Sequence, residues 1–463
     1  MYLHSVLLPR IVHELVPPLM SLALRFNPLL RNPERIIAAL FLLPALAIAQ
    51  EPRTIADLVD SVSAERLRNH ISLLESAGGT RSRVTFTSGS DSGAAYIART
   101  MASIPGLTSV ELDTFYVPGQ APYSSKPVVN VIGTLAGLDR PSEVFILGAH
   151  YDCSASRMGN STWDAQWATI AAPGADDNAT GVAAVLEIAR ILSDPVSGFR
   201  RDCTIKFIAF GSEESGPAHD GSHNGSTHYA QQARARSENV IGMVSVDMIG
   251  YNWVRNYTAI VSDQASAYLG DLFRASIFNA AIALETNLPP YPYAIYSDHE
   301  AFWTQLYPAI LIIEHAPPWN SSQGLYTANP YYHKTSDTLG TVNVNLVRRV
   351  TQGVLAMTAD VGGGVTSTEG SLARVPGSAQ LLPNYPNPFN PATTISFSLP
   401  EGATADLRVY DCLGRAVALL AEGHFPAGEH SARFDASALP SGIYYARLTH
   451  AGSVLTRRMV LVK

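Results

Sequence analysis

From about Thr54 to Asp360, short apolar runs alternate with longer stretches of helical periodicity. Leu58 to Leu74 and Ser92 to Met101 carry the helical pattern. Val144–Leu147, Thr204–Phe210, Val240–Val246 and Ala309–Ile313 have the length and apolar content of buried strands. Between the first two lies Ala179 to Leu192, a well-patterned helix. Strand, helix and strand in repetition predict an α/β fold, a mixed sheet covered by helices on both faces.

The pattern changes after Gly362-Gly363-Gly364. Residues 361–380 are rich in Ser, Thr, Gly and Pro and read as a linker. Beyond it, Thr393–Leu399, Ala405–Tyr410, Ala416–Leu420, Glu429–Phe434, Ile443–Leu448 and Val454–Val462 are short strand-like runs separated by Gly and Pro turns. That spacing predicts a small all-β sandwich of immunoglobulin-like type over 381–463. At the other end, Arg25, Arg31 and Arg35 precede the uncharged run Ile36–Ile48, which closes in Ala47-Ile48-Ala49. This is the order of a secretory signal peptide, residues 1–49, with a mature chain starting near Gln50. The run falls short of the about 20 apolar residues a stable membrane span needs. An uncleaved anchor is the alternative, and translation from Met20 would shorten the long basic region.

Composition narrows the classes. Hydrophobic residues make up 46% and charged residues 15%, which excludes a mainly disordered chain. Lys and Arg number 32 against 39 Asp and Glu, so no basic field exists to hold a nucleic acid. Three cysteines, Cys153, Cys203 and Cys412, exclude a disulfide scaffold. Cys153 either pairs with Cys203 or stays a buried thiol.

Five motifs carry candidate chemistry, each at or just beyond a predicted strand end or helix start, where open α/β sheets bind ligands. They are Gly148-Ala-His150-Tyr-Asp152, Gly174-Ala-Asp-Asp177-Asn-Ala-Thr-Gly181, Phe210-Gly-Ser-Glu213-Glu214-Ser-Gly216, Val246-Asp247-Met-Ile-Gly250 and Tyr331-Tyr332-His333-Lys-Thr-Ser-Asp337-Thr338. Two histidines with several carboxylates supply the nitrogen and oxygen donors that suit zinc. A carboxylate shared by two ions holds them about 3.5–4 Å apart. Of two adjacent glutamates, one can bind metal while the other handles a proton. His219, His223 and His228 read as a polar loop over the site rather than a further metal site, and Ser297-Asp298-His299 has the look of a nucleophile cluster.

At these residues the chain resembles the co-catalytic di-zinc aminopeptidase family, which includes secreted bacterial leucyl-type aminopeptidases and is related to glutamate carboxypeptidase and the transferrin receptor. The resemblance spans about Thr54 to Asp360, with all five motifs in order. It implies a zinc exopeptidase fold and two Zn2+ ions, with His150, Asp177 and Asp247 on one side, Glu214 and His333 on the other, and Asp177 bridging. It implies Glu213 as general acid/base, Asp152 as the carboxylate behind His150, a cis Asp177–Asn178 bond, Ser297-Asp298-His299 as pocket wall rather than a nucleophile, and Tyr332 at a position where some relatives stabilise the oxyanion. Asp177 is chosen over Asp176 because it stands four residues before Gly181, as the family's bridge does. The segment from Leu382-Pro-Asn-Tyr-Pro to Lys463 resembles the sorting domains of type IX secretion, which implies export to the cell surface or medium through outer-membrane secretion machinery. A plain accessory binding domain is the alternative for this tail. The implied activity is removal of N-terminal residues from peptides with a free N-terminus. Glutaminyl cyclase, carboxypeptidase and a non-catalytic receptor or adhesin on the same fold remain alternatives.

Overall fold

The structure is a computed structural model that describes residues 54–463 except 80, 120, 288–295, 316–323, 366–378, 383, 385, 386, 388, 426 and 427. The expected signal peptide, and most of the expected linker, lie outside the described residues. The chain opens with helices α1 (Ile55–Asp60), α2 (Ala64–Glu75) and α3 (Ser88–Ala102). Periodicity predicts one helix from Leu58 to Leu74, but two form. The Ser61 N–H closes α1 onto Leu58 O, and the Ser63 hydroxyl accepts from Arg66 N to start α2. Serines offer the backbone these local bonds, so a Ser-Val-Ser segment stops one helix and caps the next.

Then follow β1 (Ser109–Phe115), β2 (Val128–Leu135), β3 (Arg140–His150), α4 (Asn160–Gln166), α5 (Thr180–Ser193), β4 (Cys203–Phe210), α6 (Asn224–Ala235) and β5 (Asn239–Asp247). β6 (Tyr257–Ser262), α7 (Ala267–Asn279), β7 (Glu285–Thr286), α8 (His299–Thr304), β8 (Ala309–Ile313) and α9 (Val344–Gly362) complete the domain. The strands form one eight-stranded sheet in the order β1-β2-β4-β3-β5-β8-β6-β7. Its centre, β4-β3-β5-β8, is parallel, and β1, β2 and β6 join antiparallel. The four central strands correspond to the apolar runs read from sequence. β1, β2, β6 and β7 are additions that periodicity did not separate from loops.

Alternation along β3 and β4 assigns the two faces. Phe145, Leu147 and Ala149 with Ile205, Phe207 and Ala209 pack in the core shared by α2, α3, α5, α7 and α9. Val144, Ile146, Ile208 and Phe210 pack in a second cluster with Tyr229 and Ala230 of α6 and Phe302 of α8. Helices thus cover both faces, as expected for strands apolar on both sides. Because β3 lies between β4 and β5, the chain leaves it to one side and then crosses to the other. This leaves a crevice at the carboxyl end of β3, where His150 sits.

The domain runs past the boundary read from sequence at Asp360: α9 continues to Gly362, and Val365 bridges to Phe199. Cys153 and Cys203 are both buried free thiols, so the pairing considered above does not form. All six tail strands are present as β10 (Ala392–Leu399), β11 (Ala403–Asp411), β12 (Ala416–Phe425), β13 (Gly428–Asp435), β14 (Gly442–His450) and β15 (Ser453–Leu461), preceded by the short β9 (Gln380–Leu381). They pair in two antiparallel sheets, β13-β10-β9 and β12-β11-β14-β15, around an apolar core that includes Ile395, Phe397, Leu407, Val409 and Leu448. Among the described helices, none is long and apolar enough to cross a membrane.

Candidate metal centre and active site

The crevice gathers the five expected metal ligands together with Glu213 and Tyr332. His150 ends β3, Asp247 ends β5, Glu213 and Glu214 follow β4, and Asp177 precedes α5. His333 reaches in from the segment before α9, and all these residues line one cleft. His150 Nε2 lies 3.4 Å from Asp177 Oδ1 and 3.4 Å from Asp247 Oδ1. His333 Nε2 lies 3.1 Å from Asp177 Oδ2 and 2.7 Å from Glu214 Oε1. Asp177 therefore turns one oxygen to each histidine. Two groups of donors result, His150–Asp177–Asp247 and Asp177–Glu214–His333, each within 4.8 Å and sharing Asp177. Asp177 Oδ2 and Asp247 Oδ1 are buried, and neither accepts a hydrogen bond of good geometry among the described residues. Buried carboxylate oxygens of this kind require a cation or a donor, and the donor set suits divalent zinc.

The electrostatics agree. Burial works to lower the His150 pKa, yet Glu213 and Asp247 hold its imidazolium well above the ordinary range. Burial likewise opposes charge on His333, but Glu214 and Asp177 push it up to about 10. Burial raises Glu214 to about 8 despite the pull of His333, and raises Asp247. For Asp177 burial is outweighed by the adjoining imidazoles of His150 and His333, which hold it below the usual carboxylate range. Cations held by this donor set would compete with protons for the same nitrogen and oxygen atoms.

The surroundings decide which atoms point inward. Asp177 follows Gly174, whose φ of 54° permits the turn; a Cβ there would meet Asp177 O at 2.5 Å. The Asp177–Asn178 bond is cis. Asp337 accepts from Asp176 N at 2.9 Å and Asp177 N at 3.1 Å, while Asn178 bonds Val246 O and Gly181 N, each at 2.9 Å. A Cβ on Gly181 would stand 2.2 Å from Val246 O, so only glycine lets the start of α5 approach the end of β5 this closely. Asp176 turns away from the cluster, accepting from Gly250 N and Asn329 Nδ2, both at 2.8 Å.

Asp152 stands behind His150 but in an altered role. The hydrogen-bonding contact of His150 Nδ1 is with the Asp152 main-chain oxygen, at 3.2 Å, with the carboxylate at 3.7 Å. That contact still directs Nε2 at the cluster. The carboxylate itself accepts from Glu213 N at 3.0 Å, Glu214 N at 3.1 Å and the Thr85 hydroxyl at 3.1 Å, anchoring the glutamate pair. Tyr332 lines the cleft, its ring 3.8 Å from that of His333, and burial holds its hydroxyl far above the ordinary tyrosine range, so it stays protonated.

Three residues escaped the sequence reading. His223 is one of the loop histidines, but its Nε2 lies 3.0 Å from Glu213 Oε1 and its Nδ1 3.3 Å from Glu300 Oε2. Burial opposes its charge, but Glu213 pushes its pKa up to about 9. Its two companions do otherwise: His228 pairs with Asp113 at 3.1 Å, and His219 packs edge-on to Phe86. Arg83 is fully buried and donates to Tyr151 O, Leu74 O, Pro173 O and Gly174 O at 2.7–2.9 Å, tying the turn before Asp177 to the strand that carries His150. Asp337 was part of a motif without a role. Of the three, only Asp337 left a signal, its spacing of four from His333. Ser297, Asp298 and His299 are fully buried and, unlike the neighbouring Tyr296, do not themselves line the cleft, so the wall reading does not hold for their side chains.

Residues 130–358 match the model described as peptidase family M28, and residues 384–463 match the secretion system C-terminal sorting domain. A probable zinc metalloprotease of Pyrenophora tritici-repentis is 33% identical over 202 residues, which cover 42% of this chain and 38% of that protein. The chain thus spans under two-fifths of that relative's length. A zinc aminopeptidase from Bacillus subtilis matches in structure with a TM-score of 0.52 at 16% identity, over 67% of this chain and 97% of its own. The glutaminyl cyclase of an Acidobacteriales bacterium matches with a TM-score of 0.52 at 18% identity, over 68% and 97%. At these identities the likeness is one of fold.

Proposed function

The chain belongs to peptidase family M28 and carries a C-terminal sorting domain for export, and from that premise we propose that it is a secreted zinc aminopeptidase. His150, Asp177 and Asp247 would hold one ion and Glu214 and His333 the other, with Asp177 bridging. Bound zinc supplies Lewis-acid polarisation of the scissile carbonyl and a water acidic enough to attack near neutral pH. Glu213 accepts that water's proton and returns it to the leaving amine. His223 holds the outer oxygen of Glu213, and Asp152 holds its backbone. The protonated Tyr332 hydroxyl is available to donate to the oxyanion. Residues 1–49 act as a cleaved export signal, and the tail engages the outer-membrane secretion machinery.

One observation carries this reading: the two oxygens of the single buried Asp177 each face a different histidine-carboxylate group. The test is zinc content together with hydrolysis of free, N-blocked and C-terminal reporter peptides. Two zinc ions per chain and cleavage only of substrates with a free amine are expected. Cleavage of N-blocked, free-carboxyl peptides would make it a carboxypeptidase instead. Glutaminyl cyclase is the second reading, favoured by the equal fold likeness to a cyclase. A peptide starting with glutamine separates them, since the cyclase releases ammonia and keeps the residue on the peptide.

A further inference from the structure

Arg157 belongs to the segment between His150 and α4, and nothing above uses it. Its main-chain N–H donates to His333 O at 3.0 Å, which fastens this segment to the one bearing a proposed zinc ligand. Its guanidinium stands 4.5 Å from the centroid of the Tyr332 ring, and that ring stands 3.8 Å from the ring of His333. Among the described residues lining the cleft, Arg157 is the one arginine or lysine. Its side chain is exposed, with no carboxylate paired to it among the described residues. The segments 288–295 and 316–323, which adjoin the lining residues Tyr296 and His315 in sequence, contain no Asp or Glu. The cleft's own carboxylates, Asp177, Glu213, Glu214 and Asp247, are committed to the metals and the proton.

A guanidinium presents a planar fork of donors that matches a carboxylate bidentately. A fixed cation on the wall of a site for two divalent ions is repelled by them, unless the occupant brings a negative charge to it. Two ring-to-ring steps separate the guanidinium from the His333 imidazole, a reach comparable to one or two residues of extended chain at roughly 3.3–3.6 Å each. We infer that Arg157 receives a substrate carboxylate about one residue from the scissile bond, so that the enzyme selects acidic substrates. The inference rests on the aminopeptidase reading. The carboxylate has two sources: the side chain of an N-terminal Asp or Glu, or the free C-terminus of a dipeptide.

The test is calorimetric binding to zinc-loaded full-length protein carrying Glu213→Gln, which is expected to bind peptide without turning it over. Three ligands separate the sources: the amide of Gln-Ala, with neither carboxylate; the amide of Glu-Ala, with the side-chain one; and free Gln-Ala, with the terminal one. At least one carboxylate ligand should bind tenfold or more tighter than Gln-Ala amide, and the ligand that does so identifies the source. Adding Arg157→Met should erase that preference and leave Gln-Ala amide within twofold, and Arg157→Lys should restore part of it. If neither carboxylate ligand binds tighter than the amide, or the preference survives Arg157→Met, the inference is overturned and Arg157 merely packs on Tyr332. Failure of wild-type enzyme to cleave any of these peptides would instead count against the aminopeptidase reading, while the binding comparison would still decide the role of Arg157.

Discussion

The peptidase-like domain and the tail bury their side chains on opposite terms. In the tail, the buried polar side chains among the described residues are Asn384, Thr393, Ser398 and His450, and none is an acid, lysine or arginine. The peptidase-like domain buries Arg83, Asp152, Asp176, Asp177, Glu187, Glu213, Glu214, Asp247, Asp298, Glu314 and Asp337. Removing a charge from water costs several kcal/mol unless partners replace the solvent. That cost is met here by dense local bonding, such as the four carbonyls around Arg83 and the three donors on Asp152. Asp298 is an exception, neither of its oxygens accepting a hydrogen bond of good geometry among the described residues, and burial pushes its pKa up to about 7 against the pull of His150. The tail follows the ordinary rule for a small β domain, apolar within and polar without. The difference lies in what each interior holds: in one a charged candidate site, in the other mainly apolar packing.

The contrast breaks most sharply at the glutamate pair. Glu213→Gln should keep both zinc ions and lose about 10²–10⁴-fold in kcat, because the amide cannot take the proton. Glu214→Ala should instead bind one zinc weakly or not at all, since an oxygen ligand is gone. Metal analysis and steady-state kinetics of both variants check this, and zinc loss confined to Glu213→Gln would reverse the assignment.

Next in size is Arg83→Leu. It strips the donors from Tyr151 O, Leu74 O, Pro173 O and Gly174 O. Each buried group left without a partner costs about 1–3 kcal/mol, so a loss on the order of 3 kcal/mol or more is expected in denaturant unfolding. The turn before Asp177 should loosen with it, weakening zinc binding. An unchanged unfolding midpoint would show that the buried charge of this domain is dispensable.

Removal of residues 380–463 should leave kcat/KM within about twofold of wild type and abolish release from the native host. No hydrophobic cluster among the described residues draws on both parts. Normal release of the truncated enzyme would refute the sorting role, and lost activity would refute the independence of the two interiors. The smallest effect concerns thiols. Burial pushes Cys153 up to about 12 and Cys203 to about 11, while Cys412 is exposed in the tail. A thiol reagent at neutral pH should therefore label one cysteine of the native protein, Cys412, and all three after unfolding, as peptide mass mapping would read.

Local pattern carried much of this far. Apolar runs located the four central strands and all six main strands of the tail, because a strand's length and alternation are written in consecutive residues. The edge strand β1 was not legible: Ser109–Phe115 is exposed along much of its length, so its pattern resembles a loop's until a neighbour supplies the pairing. Motif residues at strand ends were legible for the same local reason, His150 and Asp247 being the last residues of β3 and β5.

By itself the sequence determined which residue types stand where strands end, and so the kind of chemistry the crevice can hold. Only the tertiary structure decided which way each side chain faces. Asp176 and Asp177 are equivalent as letters; Asn329, Asp337 and Gly250, 74–161 residues away, turn one out and the other in. His219, His223 and His228 are likewise indistinguishable in the chain, and only the fold sets His223 against Glu213. Arg83 and Arg157 have no neighbours in sequence that announce their partners. The physical reason is range: periodicity and caps act over a few residues, whereas hydrogen bonds that orient a buried charge are made by whatever the fold brings beside it.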